Sequence, residues 1–249
     1  MPINNEAIGI AAEVAIARSF DVPINPLYER RADKLVLQHL LRSRAIPRLF
    51  ADEQIPIPIN HVAERRNPVD FILENNKTLS VKTNKNFMGK VAPQNIGQPT
   101  SSTFFRYLEN NQIIKGFSII DELDCRGLTD NYTNRALIFK ELAYNNIDTL
   151  INVYFLNLFD CDFLILFYNL EALGNPINNY KVITKASHNL ILDKRLFSFT
   201  RTLETWNESC TVKYQGISIG EFQIHKNRDC FKFRFIMPGL QRIMEENLI

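Results

Sequence analysis

Residues 4 to 20 carry a helical pattern that is apolar on nearly every side, interrupted only by Glu6, Glu13 and Arg18. A helix without a polar face gains nothing from lying on a surface, so this one predicts a core element that other elements must cover. Ala7, Gly9, Ala11, Ala12, Ala15 and Ala17 let those neighbours approach closely. A chain of 249 residues has enough mass to bury it, either as one large α/β domain or as a core with one appended lobe. With 45% hydrophobic and 22% charged residues, neither disorder nor a coiled coil is indicated. The 18 phenylalanines point to large packed sheets.

Further along, 26 to 45 reads as a second helix, with Leu35, Val36, Leu37, Leu40 and Leu41 on its apolar side and Arg30, Arg31, Lys34, Arg42 and Arg44 elsewhere. The connector Ile55-Pro56-Ile57-Pro58 precedes two short strand patterns at 69 to 73 and 78 to 84. Residues 85 to 103 read as a long polar loop. Apolar runs at 151 to 159 and 163 to 170 predict two buried strands around a tight turn at Asp160-Cys161-Asp162. Phe231, Phe233 and Phe235 fall on one face of a later strand, with Lys232 and Arg234 on the other.

The two strands near 70 and 80 form a hairpin pattern. Val69, Phe71, Leu73, Leu79 and Val81 share one parity and Asp70, Ser80, Lys82 and Asn84 the other, so an apolar set faces the core and a polar set faces outward. If Glu74 pairs with Thr78 around a loop of Asn75, Asn76 and Lys77, then position 70 lies opposite 82 and the Asp70 and Lys82 side chains stand side by side. A two-residue loop places Asp70 across from Val81 on the wrong face unless a bulge corrects it. A carboxylate and an ammonium held together suit phosphodiester hydrolysis, in which a metal polarises the phosphate and a cation helps to generate the attacking hydroxide. Asp70 would hold magnesium, with the Val81 carbonyl as a further oxygen donor, and Lys82 would orient water and stabilise charge building on the phosphate.

Pro68-Val69-Asp70, a hairpin, then Ser80-Val81-Lys82 resembles the PD-(D/E)xK motif of type II restriction endonucleases and several repair nucleases. Ser80 stands where the family pattern usually has a second acid. A subgroup of type II restriction enzymes also carries Ser-x-Lys and takes its second carboxylate from elsewhere, typically a helix. No Glu follows Lys82 at comparable distance, and Gln94 is the nearest polar stand-in. Gly9-x-x-x-Glu13 resembles the N-terminal helix of that family, whose Glu in many members reaches the metal. An unpaired carboxylate in a buried helix is costly, so Glu13 needs a partner: a metal, Lys82, or a basic side chain such as Arg18. The resemblance covers roughly residues 4 to 100. It implies catalytic roles for Asp70, Lys82, Ser80 and Glu13, and magnesium held by Asp70, Glu13 and the Val81 carbonyl.

A net charge of +2 leaves any nucleic-acid contact to local patches. Amides, hydroxyls and lysines after the catalytic strand, at Asn84, Lys85, Asn86, Lys90, Gln94, Asn95 and Gln98, suit base edges and phosphates. A strand running into a basic turn offers Gln223, His225, Lys226 and Arg228 for the same purpose. Both sets, like the basic helix, read equally as solvated surface. Asp160 and Asp162 read as turn residues. His39, His61, His188 and His225 lack zinc-ligand spacing, and four scattered cysteines argue against zinc and disulfides. Reduced thiols, no secretory leader pattern and no apolar run of membrane length fit a cytoplasm, here a prokaryotic one.

The expected architecture is α/β: a central mixed sheet flanked by helices, a restriction-endonuclease-like core over 1–125, and a β-rich lobe over 126–249 that completes the sheet and reads DNA. The expected function is magnesium-dependent, site-specific cleavage of double-stranded DNA within a restriction-modification system. Alternatives are a repair or junction-resolving nuclease, and a DNA-binding module with a decayed site. A second copy of the chain is admitted as a partner, with monomer and dimer both open.

Overall fold

The predicted core helix is α1 (Asn5–Ser19), and Ile8, Ile10, Ala11, Ala12, Val14, Ala15, Ile16 and Ala17 on it are all buried. The computed structural model describes residues 5–42, 44–64, 67, 69–85, 89–170, 179–184 and 190–247. Pro68 of the motif, Asn86 of the polar loop and His188 lie outside them. The chain forms two compact units, one from residues 1–89 and 159–188, the other from 90–158 and 189–249. Each is assembled from two stretches, so the division falls at three points of the sequence, where a single boundary near 125 was expected.

After α1 the first unit continues with α2 (Pro26–Glu29), α3 (Lys34–Arg42) and α4 (Ala45–Asp52). The single helix expected over 26 to 45 is thus several pieces. Asn25 caps α2 through the Leu27 amide, and Asp33 accepts from the Leu35 and Val36 amides at 3.0 Å, which starts a new helix. Arg44, in the left-handed region at φ 49°, precedes α4. Three strands follow: β1 (Pro58–His61), β2 (Phe71–Leu73) and β3 (Thr78–Thr83).

The chain then builds the first part of the second unit with β4 (Lys90–Val91), α5 (Ser101–Asn110), α6 (Ile119–Cys125), α7 (Tyr132–Asn145) and α8 (Ile147–Leu158). β4 and α5 occupy part of the predicted polar loop. The run at 151 to 159, expected as a strand, is the C-terminal part of α8. A short run that is buried all round carries no periodicity to separate strand from helix. Here the helical choice lets Tyr154 stack on Phe233 at 4.2 Å.

β5 (Phe163–Phe167) and β6 (Tyr180–Thr184) complete the first unit. Its sheet has the order β1-β2-β3-β5-β6, with β3 and β5 parallel and the other neighbours antiparallel. The inward parity of the hairpin, Phe71, Leu73, Leu79 and Val81, packs with α1, α3 and α4 in one core. The second unit ends with β7 (Phe197–Phe199), β8 (Ser209–Tyr214), β9 (Ile217–His225), β10 (Cys230–Ile236) and α9 (Met237–Asn247). Its antiparallel sheet runs β4-β10-β9-β8-β7. Phe222, Phe231, Phe233 and Phe235 are buried on the face toward Phe104, Phe139 and Tyr154, while Lys232 and Arg234 take the other parity, as predicted. The fold is α/β, with a mixed sheet flanked by helices and a β-rich C-terminal sheet. No described helix is long and apolar enough to cross a membrane.

Candidate active site

The hairpin turns one residue earlier than expected. Phe71 lies opposite Leu79 and Ile72 opposite Thr78, and the Leu73 amide donates to the Lys77 carbonyl at 2.7 Å. Glu74, Asn75 and Asn76 make the turn, with Asn75 and Asn76 both left-handed at φ 59° and 57°, a conformation asparagine tolerates. Asp162 fixes this arrangement from the start of β5. It accepts from the Thr78 amide and hydroxyl at 3.0 Å and from Lys77 Nζ at 3.0 Å. Burial raises the Asp162 pKa, but these bonds outweigh it and hold the carboxyl below its usual range.

The pairing therefore slips by two residues, which preserves the face and changes the neighbour. Asp70 stands beside Ser80, not Lys82. Its Oδ2 accepts from Ser80 Oγ at 3.2 Å and from the Val81 amide at 2.5 Å. Asp70 and Lys82 make no direct ion pair, although the Lys82 charge acts on Asp70. Nor does the polar parity face outward at this point. Leu164 and Leu166 of β5 lie beside Ser80 and Lys82 and are buried, so the sheet is covered on both faces; Asp70 is 8% exposed and Ser80 1%. Burial is the main cause that raises the Asp70 carboxyl above the usual range, opposed by Lys82 and reinforced by the negative charge of Glu13.

Glu13 reaches this region from α1. It is 7% exposed, and its Oε2 accepts from Tyr28 Oη at 2.8 Å and lies 2.9 Å from His61 Nε2. These two, neither Lys82 nor Arg18, are its partners; Arg18 pairs with Glu29. His61 sits opposite Phe71 on β1, with the rings edge to face at 5.1 Å, and the next amide, Val62, donates to the Asp70 carbonyl at 2.9 Å. Strand pairing thus brings the support of Glu13 next to Asp70. Sequence reading missed Tyr28 and His61. The available signal was Glu13 itself, a buried carboxylate that requires donors. Glu13 also borders a cavity of about 670 Å³ within this unit, edged by Glu6, Gly9, Tyr28, Arg31 and Glu64.

The predicted DNA contacts separate. Asn84 and Lys85 follow β3, and Asn84 Nδ2 is buried without a hydrogen-bond partner among the described residues. Lys90 is neutralised by Glu221 at 2.6 Å, and Gln98 bonds the Cys230 thiol. Gln94 and Asn95 form a turn in which Asn95 has φ 52°. Gln223, His225, Lys226 and Arg228 instead gather around a cavity of about 990 Å³ in the second unit, which Lys90, Gln94, Asn95 and Gln98 do not line. Among the described residues no group of three or more His, Cys, Asp and Glu side chains is placed to hold a metal ion.

The first unit thus brings together two buried carboxylates, Asp70 and Glu13, and an ammonium, Lys82, whose charge acts on Asp70. In sequence the chain is similar to the type II restriction enzyme CviAII of Paramecium bursaria Chlorella virus 1, at 29% identity over 245 residues. The match takes in 97% of this chain, which spans 61% of the length of that relative. No family model matches the chain, and no solved structure matches it significantly.

Proposed function

We propose that the chain is a site-specific deoxyribonuclease of the type II restriction kind, the cutting partner of a restriction-modification pair. In this reading it hydrolyses phosphodiester bonds in double-stranded DNA with the help of magnesium, which Asp70 and Glu13 would hold. The observation that carries the reading is the Asp70–Glu13 pair: two buried carboxylates, with the negative charge of Glu13 and the ammonium of Lys82 both acting on Asp70. Similarity to a restriction enzyme along nearly the whole chain supports it.

The donors fit magnesium. All are oxygens, and the hydrogen bonds fall on Asp70 Oδ2 and Glu13 Oε2, which leaves Oδ1 and Oε1 for an ion. Asp70, Glu13 and the Val81 carbonyl would hold the ion, which usually keeps several waters and takes few protein carboxylates. Bound there, magnesium supplies charge to polarise the phosphate and acidify water. Ser80 and the Val81 amide hold Asp70 in place, and Tyr28 and His61 hold Glu13. Lys82 orients the attacking water and stabilises negative charge on the phosphate.

Plasmid DNA incubated with the protein and magnesium should give discrete fragments. Lys82→Ala should slow cleavage by about 100-fold or more, within the range for a lost acid-base or electrostatic group, while DNA binding persists. Cleavage at the wild-type rate removes Lys82 from the mechanism. The substitution of Ser80 for an acid favours one second reading, a silent DNA-binding protein, which predicts a gel shift without cutting.

A further inference from the structure

The second unit contains a concentration of positive charge that the proposed chemistry does not use. Lys140 on α7, Lys232 on β10, and Lys226 and Arg228 in the turn between β9 and β10 line the cavity of about 990 Å³. Among the described residues none of these four makes an ion pair. Several other cations of the same unit are neutralised: Arg126 by Glu122 and Glu141, Arg135 by Asp130, and Lys90 and Arg234 by Glu221. Glu208 is the one carboxylate among the residues that line the cavity.

The local field shows in its neighbours. Burial, then Arg234 and Arg228, depress the Lys232 ammonium below its ordinary range. Burial, then Lys232, Arg228 and Arg234, depress His225. Uncompensated cations repel one another and cost stability, so their grouping around a concave surface points to a polyanion that neutralises them. The wall also carries amides. Gln223 donates to Glu221 at 2.8 Å and lies 3.3 Å from His225 Nε2, which fixes its orientation, and the Asn134 side chain, on the cavity wall from α7, donates to the Thr129 carbonyl at 2.8 Å.

We propose that this cavity is a duplex-DNA backbone site that works without the divalent cation, with Lys140 and Lys232 as phosphate contacts alongside Lys226 and Arg228. The identity of the polyanion rests on the endonuclease reading; the existence of the site does not. Nothing in the hairpin chemistry is needed for it.

The test is fluorescence anisotropy of a labelled DNA duplex with the full chain in EDTA across a salt series. Wild type should bind the duplex without magnesium, and Arg126→Ala, which removes a cation already neutralised by Glu122 and Glu141, should bind like it. A quadruple variant, with Lys140, Lys226, Arg228 and Lys232 all changed to Ala, should lose at least tenfold in affinity, and the slope of log affinity against log salt should fall by up to about one per removed contact. Circular dichroism of each variant confirms the fold, and the pairs Lys140→Ala/Lys232→Ala and Lys226→Ala/Arg228→Ala repeat the measurement if the quadruple variant unfolds. Wild-type affinity and slope in folded variants overturn the inference even when the protein cuts DNA with magnesium. Binding through these residues without any cutting upholds the site and removes the endonuclease reading. A preference for single-stranded or RNA ligands overturns the choice of duplex DNA.

Discussion

Asp70 illustrates how one residue can be set against the stability of its fold. Its folded pKa is raised above the unfolded value, so the folded protein holds the proton more tightly and the charged form is penalised. That penalty is absent below the unfolded pKa and complete once the pH exceeds the folded one. Asp70→Asn keeps an acceptor for the Ser80 and Val81 donors and removes the charge. In metal-free protein at pH 8 the variant should be more stable by roughly 1–2 kcal/mol in urea unfolding, with the gain vanishing in acid. A variant less stable than wild type at pH 8 contradicts this account of the site. In the proposed magnesium site Tyr28 would act at one remove, through its hydrogen bond to Glu13. Tyr28→Phe should raise the magnesium concentration for half-maximal cleavage by about 10-fold with a smaller change at saturation, as supporting bonds to metal ligands commonly do. An unchanged magnesium titration would dismiss the clamp.

At the level of elements, Asp162 does for the sheet what Tyr28 does for Glu13. It ties the start of β3 to the start of β5, and its pKa is depressed, so its contribution is present above the unfolded pKa and fades as pH falls through the folded one. Asp162→Ala should cost about 1–3 kcal/mol at pH 7 in thermal or urea unfolding, with the deficit shrinking in acid. A deficit independent of pH would mean that the carboxylate charge is not used. The hairpin itself was legible because the side-chain period of two places Asp70, Ser80 and Lys82 on one parity whatever the loop. Its register was not, since two adjacent asparagines allow the turn to slide by one residue, and the deciding contact comes from Asp162. The helix α8 was hidden for a different reason: its apolar surround erases the periodicity on which such a reading depends. Tyr28 and His61, 15 and 48 positions from Glu13, meet it only after the strands have paired.

Across the whole molecule, the chain visits each compact unit twice. The N-terminal half therefore contains the hairpin but neither β5 nor β6, and β3 in such a fragment has an open edge where its parallel neighbour belongs. A fragment of residues 1–125 should fail to unfold cooperatively in calorimetry and should aggregate, because unpaired buried strand edges invite association. A sharp, reversible transition in that fragment would restore the boundary read from the sequence. The cationic cavity lies in the unit that α7 and the last strands build, so charge for holding DNA and the carboxylate pair arise from separate stretches of sequence.

The late arrival of β5 has an effect on timing. A ribosome adding about 5–20 residues per second needs several seconds to make the roughly 80 residues that separate β3 from its parallel neighbour. Throughout that interval the nascent hairpin has neither the Asp162 anchor nor the strand that lies against Lys82. A growing polypeptide thus carries its carboxylate pair without that anchor and that neighbour until β5 has left the exit tunnel.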